Sequence, residues 1–419
     1  MIKRLIAGKE PTGKDLFFWN MIGSAIYALA SMVLTYMTIR VIGENDGGIF
    51  GIALTLAQMF IYIAYYEMRN FQVTDAEDKY EFSQYNAVKV INCIVMMLVC
   101  GLYILMKGYD TKKALIVFLV CLYRMLDGYS DVYESEFHAR GRLDLAGKSM
   151  AFRTVISVGV YFGVLITTHD LLRAVIWAII SGIVGIVIFN ILIFDSVGKI
   201  SFDFRLAGMI SIWKDCFPLF IGMFLWTYLL SASRIAVDNV MASEYQSYYQ
   251  VLFLPVSVIN LMAGFLIRPS LIELTELCSK GELKNFWSRI LKMMGILGGF
   301  TVLCMGGAYL LGIPVLEILV NCELDEYRWM FVFLIFAGGI NAIGYVLYYV
   351  LTILRSRKGI IAGYGIASVV AWFISDRFTE KWGLWGASIS YLVAIFTLII
   401  VFAVVVAFRN GDMRRNLSQ

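Results

Sequence analysis

Arg124, Asp127 and Asp131 stand at i, i+3 and i+7, and the series runs on to Glu134 and His138. On a helix this spacing lines one face with ionisable groups. A guanidinium there can attract an anionic group, and a carboxylate beside it can pair with the cation or carry a coupling ion. The stripe lies in an apolar run at 114–133, with Arg124 about 17 Å from one end at a rise of about 1.5 Å per residue. A charge at that depth of a bilayer costs at least about 2.5 kcal/mol, so it must face protein or a water-filled cavity. The same residues also suit a structural ion pair, Arg124 with Asp127 or with a neighbouring helix, leaving Asp131 at the rim.

Other polar residues stand near the ends of apolar runs. Arg40, Arg69 and Arg268 are each placed to snorkel as an end-cap, and Arg234 with Asp238 forms an i, i+4 pair. Asn20 could hydrogen-bond across helices. Gly8 to Asp15 has the glycine and lysine spacing of a phosphate-binding loop but ends in Asp where Mg²⁺ needs Ser or Thr. Arg142 to Ser149 ends in Gly-Lys-Ser without the first glycine, and neither follows a strand. ATP hydrolysis is therefore not expected, and any transport would draw on an ion gradient, H⁺ or Na⁺, or on the substrate's own. Seven cysteines without a CxxC pair and two histidines, His138 and His169, supply no disulfide framework, metal site or triad. No catalytic residue, cofactor or metal is expected.

The elements that must position these groups follow from composition. Of 419 residues 60% are hydrophobic and 16% charged, with a net charge of +4. That excludes a soluble domain, a disordered chain and a nucleic-acid binder, leaving an all-α polytopic membrane protein. Apolar runs at 16–42, 47–66, 90–106, 114–133, 150–168, 172–194, 216–233, 247–267, 290–312, 329–353, 359–375 and 383–408 give twelve spans. The first is too long for a signal peptide. Assigning every Lys and Arg to one side or the other puts 25 with the termini and 9 opposite, Arg124 alone falling inside a span. The bias orients both termini to the cytoplasm.

Lys14-Asp15 and Lys214-Asp215 each open a half, and in each half the second span precedes an amphipathic segment, 67–89 or 268–292. The reading is two six-helix bundles, 1–195 and 215–419, joined by a cytoplasmic linker at 196–214, in parallel repeat around a central cavity. Gly159 and Gly163, Gly295 and Gly299, and Gly359 and Gly363 are spaced for close helix packing. Pro255, inside a span, predicts a kink.

Three segments carry a resemblance. Arg40-Val-Ile-Gly43 with Gly48-Ile-Phe-Gly51, Phe265 to Leu274 with its Arg-Pro pair, and Trp382-Gly-Leu-Trp-Gly-Ala-Ser388 occur in this order in a twelve-helix frame. Over residues 14 to 408 the chain resembles the polysaccharide flippases of the multidrug/oligosaccharidyl-lipid/polysaccharide exporter superfamily. The resemblance implies a V-shaped pair of bundles in the cell membrane, working by alternating access without enzymatic chemistry. It further implies a polyprenyl-diphosphate-linked oligosaccharide as substrate, flipped from inner to outer leaflet for surface polysaccharide export. Partners would be the bilayer and other polysaccharide-assembly membrane proteins, no nucleic acid, and a monomer is expected. With Arg124 as the single arginine inside a span, a strongly cationic cavity requires Arg40, Arg69 or Arg268 to bend inward. The competing readings are an ion-coupled drug or small-molecule exporter of the same fold, with Asp127 and Asp131 as ion site, and a membrane-embedded glycan polymerase, which the short outer loops disfavour.

Overall fold

The computed structural model describes residues 11–75, 79–267 and 270–417. Arg268 and the Gly8–Glu10 part of the first phosphate-loop-like sequence lie outside them. Among the described residues the regular elements are all helical. In unit 1, Met1–Phe224, these are α1 (Gly13–Ile42), α2 (Glu44–Tyr65), α3 (Met68–Thr74), α4 (Phe82–Lys107), α5 (Thr111–Ala139), α6 (Leu143–Thr168), α7 (Leu171–Ile186) and the first part of α8 (Leu206–Val240). Unit 2, Leu225–Gln419, holds the rest of α8, then α9 (Ser243–Phe253), α10 (Val256–Ile267), α11 (Leu271–Ser279), α12 (Leu283–Gly307), α13 (Ile313–Val320), α14 (Arg328–Ile353) and α15 (Arg357–Leu417).

Ten helical stretches among the described residues are long and apolar enough to cross a membrane. Helix α5 is not among them because its ionisable stripe lowers its hydropathy, and α15 turns at Gly383, whose φ of 58° lies in the left-handed region. Counting α5 and dividing α15 there gives the twelve expected segments. The stretch at 196–214 is only partly a connector, since α8 already starts at Leu206. Before it, Arg205 donates hydrogen bonds to Asp203 and holds that carboxyl below its ordinary range.

Capping explains several boundaries. Thr12 caps α1: its hydroxyl accepts from the Asp15 amide, and the Asp15 carboxylate accepts from the Thr12 amide at 2.9 Å. Asp15, which spoils the phosphate loop, is thus half of a capping box. The second loop-like sequence is also helical, because Gly147-Lys148-Ser149 lie inside α6, with Lys148 on Asp144 at 3.2 Å and Ser149 donating to Asn190 at 2.9 Å. Pro255 separates α9 from α10, as a residue without an amide hydrogen should.

Unit 1 is built around α2, nine-tenths of whose apolar window is buried. α5 packs on α2, α4, α6 and α7, while α1 packs along α6. A close backbone approach between α1 and α6 is one the glycine spacing did not signal: a Cβ on Gly23 would overlap the Gly147 carbonyl, and one on Gly147 the backbone of Trp19 and Asn20. Of the three spaced pairs, only Gly359 and Gly363 face a neighbour, Val405 and Phe402; the others would place a Cβ in open space. Four-residue spacing puts two glycines on one face, but a partner helix must cover that face before it becomes a contact.

Candidate functional site

The ionisable stripe of α5 faces the interior of unit 1. Gly128 makes this possible, since a Cβ there would come within 2.6 Å of the Ala64 Cβ on α2. Arg124, Asp127, Asp131 and Glu134 are all buried, between 3% and 8% exposed. Each finds partners, as ions removed from water must.

Asp127 is held by two arginines. Arg124 donates to it at 2.8 Å, and Arg153 of α6 donates to its other oxygen. Arg153 also reaches Glu134 at 3.2 Å. Arg124 donates further to Ser31 of α1 at 3.2 Å and lies 5.0 Å from the centre of the Tyr27 ring. Asp131 likewise serves two cations, Lys89 of α4 at 3.0 Å and Arg69 of α3 at 3.3 Å. Lys89 also donates to the Tyr65 carbonyl at 3.3 Å, an acceptor left free where α2 ends.

The chain break between α2 and α3 sets this geometry. Tyr66 and Glu67 both adopt left-handed backbone, φ 47° and 53°, which costs on the order of 1 kcal/mol or more for each non-glycine residue. The turn re-aims α3 so that Arg69 meets Asp131 and Gln72 donates to Glu136 at 2.9 Å. Tyr66 stacks on Phe220 at 4.4 Å, which helps hold the turn.

Between these groups lies a cavity of about 260 Å³, its wall including Arg69, Arg153, Asp127, Asp131, Glu134 and Glu67. Tyr27, Tyr62 and Tyr65 add a phenolic side, with the Tyr27 and Tyr65 hydroxyls 3.0 Å apart. Among the cations of the cluster Arg69 is the most open, its side chain 32% exposed against 4% for Arg153. The Nε atoms of Arg124 and Arg153 are buried without a partner. Guanidinium groups with a donor to spare, beside carboxylates that can release others, can bind an oxyanion by exchange of partners.

The sequence-derived residues divide accordingly. Arg124, Asp127, Asp131 and Arg69 meet in one cluster, and Asp131 is buried within the protein. Arg40 is exposed in the last turn of α1, where a cation complements the helix dipole. Half-buried Asn20 has its backbone against Gly147. The Arg234–Asp238 pair does not form: Arg234 is buried in unit 2 and donates to the Leu230 carbonyl and Ser231 instead. Arg124 is not the single arginine within the spans either, because Arg153 is equally buried, and Lys89 joins it. Arg153 falls three residues inside the apolar run at 150–168, where hydropathy does not separate an arginine that snorkels to the rim from one that turns inward. Lys89 directly precedes an apolar run, but α4 starts at Phe82, two turns earlier.

No family model matches the chain. It is 22% identical over 401 residues to the capsular polysaccharide biosynthesis protein CapF of Staphylococcus aureus, covering 92% of this chain and 97% of that one. Among solved structures, the lipid II flippase MurJ in an inward closed conformation superposes with a TM-score of 0.70 at 14% identity, covering 94% of this chain and 86% of that one. An inward-facing multidrug resistance transporter of the MATE family superposes at 0.64 and 10% identity, covering 94% and 99%. The eukaryotic MATE transporter AtDTX14 gives 0.64 at 14% identity, covering 96% and 98%. The chain is thus an all-α, multi-pass membrane protein with the fold shared by the MATE transporters and the lipid II flippase MurJ, a fold that its resemblance to the polysaccharide flippases implied.

Proposed function

We propose that this protein flips a polyprenyl-diphosphate-linked oligosaccharide from the inner to the outer leaflet of the cytoplasmic membrane by alternating access, for surface polysaccharide export. The observation that carries the reading is the polar cavity of unit 1, where Arg69 and Arg153 line a space walled by spanning helices. A diphosphate offers oxygens in the geometry a guanidinium fork prefers, while the polyprenyl tail can remain in lipid. The names of two similar proteins, a capsular polysaccharide biosynthesis protein and a lipid II flippase, support the same substrate class.

Binding would proceed by exchange. As the diphosphate takes Arg69, Asp131 keeps only Lys89; as it takes Arg153, Glu134 is left without its cation. A carboxylate so released inside a membrane favours a proton or a sodium ion, and its uptake would couple transport to a gradient. The excess of Lys and Arg on the side of the termini supports a cytoplasmic placement of both. The protein would act as a monomer beside other polysaccharide-assembly membrane proteins.

The test is reconstitution. Proteoliposomes holding the full chain should move a fluorescent polyprenyl-diphosphate sugar between leaflets faster than empty vesicles, and Arg69→Gln should slow it. Wild-type rates equal to empty vesicles, with efflux of cationic dyes instead, would replace this reading by the small-molecule exporter.

A further inference from the structure

Unit 2 contains a second buried guanidinium in very different company. Arg234 of α8 is 7% exposed, and among the described residues no carboxylate lies within ion-pair distance of it. Its contacts are weak for a full charge: the Leu230 carbonyl at 3.3 Å, the Ser231 hydroxyl at 3.5 Å and the face of Phe253 at 4.9 Å. A guanidinium cannot shed its proton, and a membrane-embedded protein offers no bulk water to screen it. An uncompensated buried charge is therefore a strong sign of a missing counter-charge.

The surroundings indicate which kind. Arg234 Nε, the Tyr391 hydroxyl and both ends of the Gln246 amide are buried with no hydrogen-bond partner, while the Tyr249 hydroxyl lies against the Ser233 and Ser388 hydroxyls. They belong to one neighbourhood: the Phe253 ring under Arg234 packs on Tyr249 at 5.9 Å and Tyr391 at 5.0 Å, and Gln246 shares the α9 face of Tyr249 and Phe253. The guanidinium Nε–H, the Gln246 NH₂ and the Tyr391 hydroxyl are all donors with nothing to donate to. Such a set would repel a metal cation, and it suits a small anion that accepts from every side. Buried polar groups almost always find partners, so so many orphans in one place point to an absent ligand more readily than to misfit.

We propose that α8, α9 and the part of α15 bearing Tyr391 enclose a binding site for a small inorganic anion of halide type, with Arg234 as its charge partner and Gln246 and Tyr391 as hydrogen-bond donors. The site is separate from the cavity of unit 1 and does not depend on the substrate bound there. Its consequence is a dependence of unit 2 on the anion supplied.

Thermal unfolding of the purified full chain, with chloride exchanged for gluconate at constant ionic strength, tests this directly. Chloride and bromide should raise the midpoint by roughly 5 °C at saturation, and a bromide crystal should show an anomalous peak beside Arg234. Tyr391→Phe, which removes one donor and little volume, should weaken the halide response severalfold, and Arg234→Gln should abolish it. Equal midpoints of the wild type in chloride and gluconate overturn the proposal without any variant. So does a halide response that survives undiminished in both variants, because the anion then binds elsewhere.

Discussion

Arg153→Met isolates the energetic role of the buried cluster. Met matches the aliphatic stem in length and apolarity, so packing changes little while the charge is removed. Asp127 keeps Arg124 at 2.8 Å, but Glu134 loses its ion-pair partner at 3.2 Å and keeps only the longer-range attraction of Arg69. Breaking a buried pair from one side costs about 3–5 kcal/mol, which for a unit of this size lowers the unfolding midpoint by roughly 6–20 °C. Adding Glu134→Gln to the variant removes the orphaned charge and should restore about half of the loss, so the two substitutions are strongly non-additive. The comparison is Arg289→Ala: Arg289 pairs with Glu273 at the same 2.9 Å scale, but both side chains are more than two-fifths exposed, and exposed pairs contribute about 0–1 kcal/mol. The assay is thermal unfolding in detergent, read by tryptophan fluorescence and by soluble fraction. If Arg153→Met melts within about 4 °C of the wild type, as Arg289→Ala should, the cluster is not the desolvated network described and the reasoning fails.

Arg69→Gln should leave stability within about 1 kcal/mol, because Lys89 still holds Asp131 and Arg69 is partly open, yet it should slow flipping in proteoliposomes; unchanged flipping would remove Arg69 from substrate binding. Gly147→Leu should cost more than about 2 kcal/mol or prevent folding, since the new side chain meets the backbone of α1; wild-type expression and melting would contradict that packing. A cysteine placed at 325 should react with an impermeant thiol reagent from outside the cell and one at 357 should not, and the reverse pattern would invert the topology. Lys148→Ala should retain transport, and the purified protein should bind no ATP, because Lys148 serves Asp144 inside a helix, where Arg142 also holds the carboxylate at 3.0 Å; nucleotide binding measured by calorimetry would count against this.

The spans were legible because a bilayer demands about 20 apolar residues at each crossing, and that demand is written in composition. The stripe on α5 was legible for the same reason inverted: charges in an apolar run stand out. Arg153 and Lys89 were not, because both lie near the ends of apolar runs, where hydropathy cannot distinguish a snorkelling side chain from one folded inward. Only tertiary packing decides that. Arg69 needed more still, since its direction is set by two consecutive left-handed residues, Tyr66 and Glu67, neither of which is a glycine or carries a turn signature. The Arg234–Asp238 spacing failed differently: i, i+4 permits a pair on a helix surface, but Arg234 turns into the core of its unit and the pairing is lost.

The cluster of unit 1 is close to neutral: Arg69, Lys89, Arg124 and Arg153 stand against Glu67, Asp127, Asp131 and Glu134. This changes what kind of device it can be. A cavity lined by unpaired cations would bind an anionic headgroup tightly and release it slowly, since nothing inside replaces it. Here Asp127 and Asp131 are each shared by two cations, so on the proposed function an entering oxyanion would displace a carboxylate rather than meet an unpaired cation. The cost of parting that pair would subtract from the affinity, and the freed carboxylate would retake its cation as the substrate leaves. A carrier must bind strongly enough to select and weakly enough to let go, and an internal competitor meets both needs where a surplus of positive charge meets only the first.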